Sequence, residues 1–142
     1  MTTAIFFAQY PKDFALSAGL ATLIKEAAPD VTVRLVYARE PNSADYDWSA
    51  LTAGFDAVDE VAPAMYGPYR RLDARGLVAA YRKALPAARR MAAELARLDT
   101  PANTVAFAFD GFALSQSVFL RSMRRRGAKT VLIAEYGDSP SA

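Results

Sequence analysis

The 142-residue chain contains neither cysteine nor histidine. Without cysteine it can form no disulfide and no thiolate metal site. Without histidine it lacks the usual general base near neutral pH, the commonest metal ligand and any histidine-dependent catalytic triad. Acid–base chemistry is left to Asp, Glu, Lys or Tyr, and any metal ion would need hard oxygen ligands. We predict that the chain binds no metal and no cofactor.

Sequence signals of membrane, nucleotide and nucleic-acid binding are absent as well. The chain has no run of ~18 apolar residues, which a transmembrane helix requires, and its start lacks the basic region of a signal peptide. No G-x-G-x-x-G follows the first apolar segment, and no Walker lysine motif occurs. The net charge is only +2, so no nucleic-acid partner is predicted. These absences favour a cytoplasmic location.

Four short apolar segments have the composition of buried strands, and a fifth is weaker. The four are residues 4–8, 31–38, 104–109 and 130–135, and the weaker one is residues 55–62. Continuous apolar runs of this length are typical of a parallel sheet that is covered on both faces.

Helical patterns lie between these segments. Asp13 is a candidate N-cap for the first helix, with Pro29 marking its end. Pro86 predicts a break or bend near Leu85, so the segment 72–98 forms either two helices or one kinked helix. Gly127 is a candidate C-cap for the last helix. The predicted apolar stripe of the middle segment consists of Leu77, Tyr81, Leu85, Met91, Leu95 and Leu98.

The order of elements is β-α-β-loop-β-α-β-α-β, which indicates an α/β fold with a parallel sheet. Right-handed crossovers favour an open sheet of about five strands in the order 3-2-1-4-5, with helices on both faces. We therefore predict a Rossmann-like three-layer sandwich that forms a single domain over residues 1–142.

In such a sheet, ligands bind beyond the carboxyl ends of the strands, where the strand order reverses. Here that point lies between the first and fourth strands. Three polar loops flank it, and they supply the candidate binding residues: Gln9, Tyr10, Lys12 and Asp13; then Asp110, Gly111 and Ser115; then Glu135, Tyr136, Gly137 and Asp138.

These residues also have simpler interpretations. Asp110 suits the N-cap of the helix that follows it, and Gly111 suits a tight turn. Ser115 is small enough to let the helix approach the sheet. If a ligand does bind, Asp110 would repel an anion at this helix start, so we expect hydroxyl groups rather than phosphate.

Two basic segments remain open to more than one interpretation. The last turn of the final helix carries Arg124, Arg125 and Arg126, which complement the negative end of the helix dipole. The loop 66–76 gathers two tyrosines and three arginines. It is either a polar loop or a contact surface for a partner or an anionic acceptor.

The chain resembles the N-terminal Rossmann-like domain of GT-B fold glycosyltransferases and the related nucleotide-sugar 2-epimerases. The resemblance runs as a pattern through residues 4–30, 55–63 and 103–139, with QYPKD where many members have a glycine-rich first loop. Asp110 and Glu135 match polar positions of that pattern. The resemblance implies that they face an interdomain cleft, where one of them acts as catalytic general base toward an acceptor hydroxyl.

The resemblance also implies partners. They are a sugar or polysaccharide acceptor and, through a second domain that follows this one, a nucleotide-sugar donor; the isolated chain would then be inactive. Two other hypotheses stay open. One is a stand-alone flavodoxin-like nucleotide-binding module, and the other is a non-enzymatic interaction domain that forms a homodimer.

Overall fold

A computed structural model describes residues 2–65, 73–109 and 114–133. Its strands are β1 (Thr3–Ala8), β2 (Thr32–Ala38), β3 (Ala57–Val61), β4 (Thr104–Ala108) and β5 (Lys129–Leu132). Its helices are α1 (Pro11–Ala27), α2 (Trp48–Leu51), α3 (Ala74–Ala96) and α4 (Leu114–Arg125). The predicted alternation of strands and helices is confirmed.

The five strands form one parallel sheet in the order β3-β2-β1-β4-β5, which confirms the predicted fold class and strand order. β1 lies at the centre, and each of its residues is buried. A strand covered on both faces has no solvent-facing side, which is why its sequence is continuously apolar rather than alternating.

Two hydrophobic cores lie on opposite faces of the sheet, because successive side chains of a strand point to opposite sides. Ile5 and Phe7 belong to the core beneath α3 and α4, together with Met91, Leu95, Phe119 and Met123. Ala4 and Phe6 belong to the core beneath α1, together with Phe14 and Ala21. The helices therefore cover both faces, as the three-layer prediction requires.

The start of α1 differs from the prediction. The helix begins at Pro11, and its N-cap residue is Tyr10, so Asp13 lies inside the first turn instead of capping it. Proline is favoured at the first helical position because its fixed φ suits a helix and its missing N–H would find no intrahelical acceptor. The Asp13 carboxylate still accepts a hydrogen bond from the Tyr10 N–H, at 3.0 Å.

The segment with Pro86 forms one continuous helix, α3, of 23 residues. Its second half carries buried Met91 and Leu95, as predicted. In its first half Tyr81 and Leu85 are 45% and 46% exposed. The predicted apolar stripe is therefore buried at Met91 and Leu95 and exposed at Tyr81 and Leu85.

The second half of α3 lies beside α4. Both helices return from the carboxyl edge of the sheet to its amino edge, and Arg126 ties their ends together by donating to the carbonyls of Ala96 and Leu98. Met91 and Leu95 share a core with Phe119 of α4, whereas Tyr81 and Leu85 lie outside that core.

The end of α4 confirms the prediction for Gly127. Its φ is +86°, a left-handed conformation that favours glycine. The Gly127 N–H donates to Arg124 O at 3.0 Å, and the Ala128 N–H donates to Met123 O at 3.1 Å. These two bonds form a Schellman motif, which satisfies carbonyls that the helix leaves without partners.

At the amino edge of the sheet, Asp56 joins α1 to β2. Its Oδ2 accepts from Lys25 Nζ at 2.8 Å and from the Val33 N–H at 2.8 Å. The hydrogen bond from Lys25, helped by the Val33 amide, holds the pKa of Asp56 below its usual range. This contact is half exposed and lies at the edge opposite the candidate site.

Replacing a large side chain by alanine should affect the free energy of unfolding differently in the two halves of α3. Met91→Ala should lower the free energy of unfolding by about 2–4 kcal/mol, because it opens a cavity in the core. Leu85→Ala should change it by less than about 0.5 kcal/mol, because the side chain is exposed and alanine is a good helix former. Urea unfolding of both variants checks this, and equal losses would contradict an exposed first half of α3.

Candidate functional site

The strand order reverses between β1 and β4, so the loops that follow these strands diverge at the carboxyl edge of the sheet. Of the predicted site residues, the structure describes Gln9, Tyr10, Lys12, Asp13 and Ser115. The others lie outside the described residues: Asp110, Gly111, Glu135, Tyr136, Gly137 and Asp138. Their predicted roles stay predictions.

Asp13 is fully buried at the start of α1 and gathers hydrogen bonds from three directions. Its Oδ2 accepts from the N–H of Gln9 at 3.1 Å, from the N–H of Tyr10 at 3.0 Å and from Gln116 Nε2 at 3.1 Å. A buried carboxylate is costly unless it is hydrogen-bonded in this way. Asp13 thus fixes the turn from β1 into α1.

Gln116 joins the two sides of the strand-order reversal. It is fully buried on α4, donates to Asp13, and accepts at Oε1 from the Phe109 N–H at 2.8 Å. Phe109 directly follows β4, and Asp13 belongs to the element that follows β1. One amide side chain therefore sets the spacing between the exits of the two central strands.

Ser115 and Gln9 hold the segment that follows β3. Ser115 Oγ accepts from the Met65 N–H at 2.7 Å and donates to Met65 O at 3.0 Å. Gln9 Nε2 donates to the same carbonyl at 3.2 Å. Among the described residues, none donates to Gln9 Oε1, although this oxygen is buried.

The structure therefore brings Gln9, Asp13 and Ser115 together as a buried polar network. In it their polar atoms bond mainly to one another, to Gln116 and to backbone groups. Tyr10 is partly exposed and Lys12 is exposed. Of the predicted residues that the structure describes, these two are the ones accessible to solvent.

An aromatic cluster lies beside the end of β2. The Trp48 ring stacks on Tyr37 with centroids 5.2 Å apart and meets Phe14 edge-on at 5.8 Å. The Arg39 guanidinium lies 4.3 Å from the Trp48 ring centroid. A hydrogen bond with Tyr37, and the nearby Glu60 carboxylate, raise the pKa of Arg39. Trp48 thus anchors the polar loop between β2 and β3 on the α1 face.

Sequence reasoning missed Gln116 and Met65 at this edge. Gln116 precedes Phe119 by three positions and Met123 by seven, so it lies on the buried face of α4. A polar residue among apolar ones on a buried helix face indicates a buried hydrogen bond, and this signal could have identified Gln116. Met65 takes part through its backbone alone, which no side-chain pattern reveals.

The described residues form neither an acidic metal site nor a membrane-spanning helix. Within residues 2–65, 73–109 and 114–133, no three acidic side chains lie close enough to hold a metal ion. In the same ranges, no helix is long and apolar enough to cross a membrane.

No family model matches the sequence, and no curated protein matches it. Among solved structures, a UGT transferase from Siraitia grosvenorii in complex with UDP is similar, with 10% identity and a TM-score of 0.51. The similarity covers 93% of this chain and only 27% of the transferase chain. The C-terminal domain of a hydrogenase from Pyrococcus furiosus is 14% identical, with a TM-score of 0.49 and coverage of 93% and 91%. At these identities the likeness is one of fold, a Rossmann-like parallel α/β sheet.

Proposed function

We propose that this chain is the acceptor-side domain of a GT-B type glycosyltransferase. It would bind a sugar or another hydroxyl-bearing acceptor at the carboxyl ends of its strands. The observation that carries the proposal is the reversal of strand order between β1 and β4. There the Gln116 side chain bonds both to the Phe109 N–H, just after β4, and to Asp13, in the helix after β1. A crevice at such a reversal is the usual ligand site of an open α/β sheet.

The fold supports this proposal. The sheet has the α/β architecture that it shares with the UGT transferase from Siraitia grosvenorii, over 27% of that longer chain. That transferase is in complex with UDP. In our proposal a nucleotide-sugar donor belongs to a second domain, and this chain supplies the acceptor side.

The first half of α3 supports a neighbouring domain at the same edge. Val78, Tyr81 and Leu85 on it are between 45% and 53% exposed. Large apolar side chains grouped on a surface often mark a contact with another domain. A second domain that closes over the carboxyl edge would cover them.

In this proposal Asp110 or Glu135 removes a proton from the acceptor hydroxyl. Tyr10 and Lys12 contact the acceptor, and the network of Asp13, Gln116 and Ser115 positions the loops. Carboxylates accept hydrogen bonds from sugar hydroxyls, whereas the absence of a phosphate loop disfavours nucleotide phosphates at this edge.

The test is a titration of the ¹⁵N-labelled chain with a panel of mono- and disaccharides and, separately, with UDP. We expect a saccharide to shift the backbone amide signals of Tyr10, Lys12 and Ser115, and UDP to leave them in place. Asp110→Asn should weaken the saccharide response severalfold, because it removes the charge from an acceptor oxygen. Asp30→Asn, an exposed residue at the amino edge, is the matched control.

Two outcomes would contradict the proposal. Shifts with UDP alone would favour the stand-alone nucleotide-binding module. If no saccharide shifts these amide signals up to its solubility limit, the proposal that this chain binds the acceptor is wrong.

A further inference from the structure

A groove runs between α4 and the edge strand β5, away from the carboxyl edge described above. It has a volume of about 630 Å³ and is lined by Leu120, Arg121, Arg124 and Arg125 of α4 and by Thr130 and Leu132 of β5. We refer to it as the basic groove.

The three arginines of the basic groove are exposed and carry like charge within one turn of the helix. Like charges at this spacing repel one another. Arg124 donates to Thr130 Oγ1 at 3.4 Å, and no described carboxylate pairs with any of the three. Arg126, in contrast, bonds to the end of α3. The groove therefore concentrates positive charge that the described residues leave uncompensated.

The floor of the basic groove is apolar and borders an open sheet edge. Leu132 is 47% exposed, and Leu120 is half-buried. β5 pairs with β4 on one side only. Because the Ile133 N–H donates to Ala108 O of β4 at 2.9 Å, the backbone groups of Leu132 and Thr130 point to the outer edge. No described residue pairs with them there.

We propose that the basic groove binds an acidic segment of another protein, which adds to β5 as an extended strand. The outward N–H and C=O groups of Thr130 and Leu132 would bond to its backbone. On the face of the added strand that meets α4, apolar side chains would cover Leu120 and Leu132, and carboxylates on that same face would meet the arginines. Strand addition of this kind combines main-chain hydrogen bonds with side-chain selectivity.

The same features disfavour other occupants. A second copy of this chain would bring its own arginines to the edge, where like charges repel. Single-stranded nucleic acid binds through aromatic stacking platforms, and none of the described residues that line the groove is aromatic. An acidic, partly apolar strand would pair with the arginines, cover the exposed leucines and bond to the outward backbone groups of β5.

The probe is a synthetic peptide with the repeat Glu-Thr-Val-Thr, which places glutamate and valine in turn on one face of a strand, titrated into the ¹⁵N-labelled chain. We expect the amide signals of Thr130 and Leu132 to shift. The double variant Arg121→Gln/Arg124→Gln should weaken binding about fivefold to tenfold, since two exposed charge pairs are lost. The matched control, Arg89→Gln/Arg90→Gln on α3, should bind within about twofold of the parent, because those arginines do not line the groove.

Further probes separate strand addition from general attraction to positive charge. A peptide N-methylated at alternate residues should bind severalfold more weakly if backbone hydrogen bonds form. Equal binding of the methylated peptide, or equal losses in the two double variants, would overturn the proposal. Tighter binding of an oligo-dT strand than of the peptide would overturn it in favour of nucleic acid. Dimerisation through β5 on sedimentation would overturn it in favour of a second copy.

Discussion

Replacing Asp13 with alanine is expected to lower the free energy of unfolding by about 3–5 kcal/mol, because buried donors left without an acceptor each cost about 1–3 kcal/mol. The donors are the N–H groups of Gln9 and Tyr10 and the amide of Gln116. The lost hydrogen bonds would weaken the turn from β1 to α1 and the connection of that turn to Gln116 on α4. Chemical denaturation with urea, followed by circular dichroism, measures it.

Two further variants make the Asp13 result specific. Asp13→Asn keeps one acceptor oxygen and should cost less than Asp13→Ala. Asp30→Ala removes an exposed carboxylate and should change the free energy of unfolding by less than about 0.5 kcal/mol. A cost below about 1 kcal/mol for Asp13→Ala would mean that the network does not hold the strand exits together. Loss of ligand binding in an Asp13 variant therefore needs a stability measurement before it is assigned to a lost contact.

Phe119→Ala is the second change with a large expected effect, a loss of about 3–5 kcal/mol in the free energy of unfolding. The Phe119 ring is fully buried and stacks on Phe7 of the central strand, with centroids 5.1 Å apart. Its removal leaves a cavity between α4 and β1. Because α4 also carries Ser115 and Gln116, the same change should loosen the buried network at the carboxyl edge.

The control for this prediction is Phe119→Leu, which keeps most of the apolar volume and should cost less than about 1.5 kcal/mol. Thermal unfolding and hydrogen exchange at the Phe109 amide are the measurements. The amide of Phe109 should lose protection in Phe119→Ala, because it donates to Gln116 on the displaced helix. Unchanged protection together with a small loss of stability would contradict the packing of α4 on β1.

Much of the fold could be predicted because its determinants are local. Four of the five strands lie in short apolar runs, and continuous runs of this kind are typical of a parallel sheet covered on both faces. Gly127 ends α4 because glycine readily adopts a positive φ, and this property depends on that residue alone. The strand order follows from the alternation of strands and helices together with right-handed crossovers.

The errors arose where one local pattern suits two structures. An aspartate before an apolar stretch suits an N-cap and equally suits the first helical turn, and Pro11 was the residue that could have located the start of α1. An apolar stripe on α3 looks the same whether it meets a core or solvent. In the structure Met91 and Leu95 in the second half of α3 meet the core, whereas Tyr81 and Leu85 in the first half are exposed.

The sequence by itself determined the class of fold and the strand order, because these follow from local hydrophobic patterns and chain connectivity. Only the tertiary structure decided which polar atoms meet at the carboxyl ends of the strands. Asp13 and Gln116 are 103 positions apart and bond within a buried network. Such a contact depends on how two helices pack on one sheet, and it places Asp13, a predicted binding residue, in a buried network between the exits of β1 and β4.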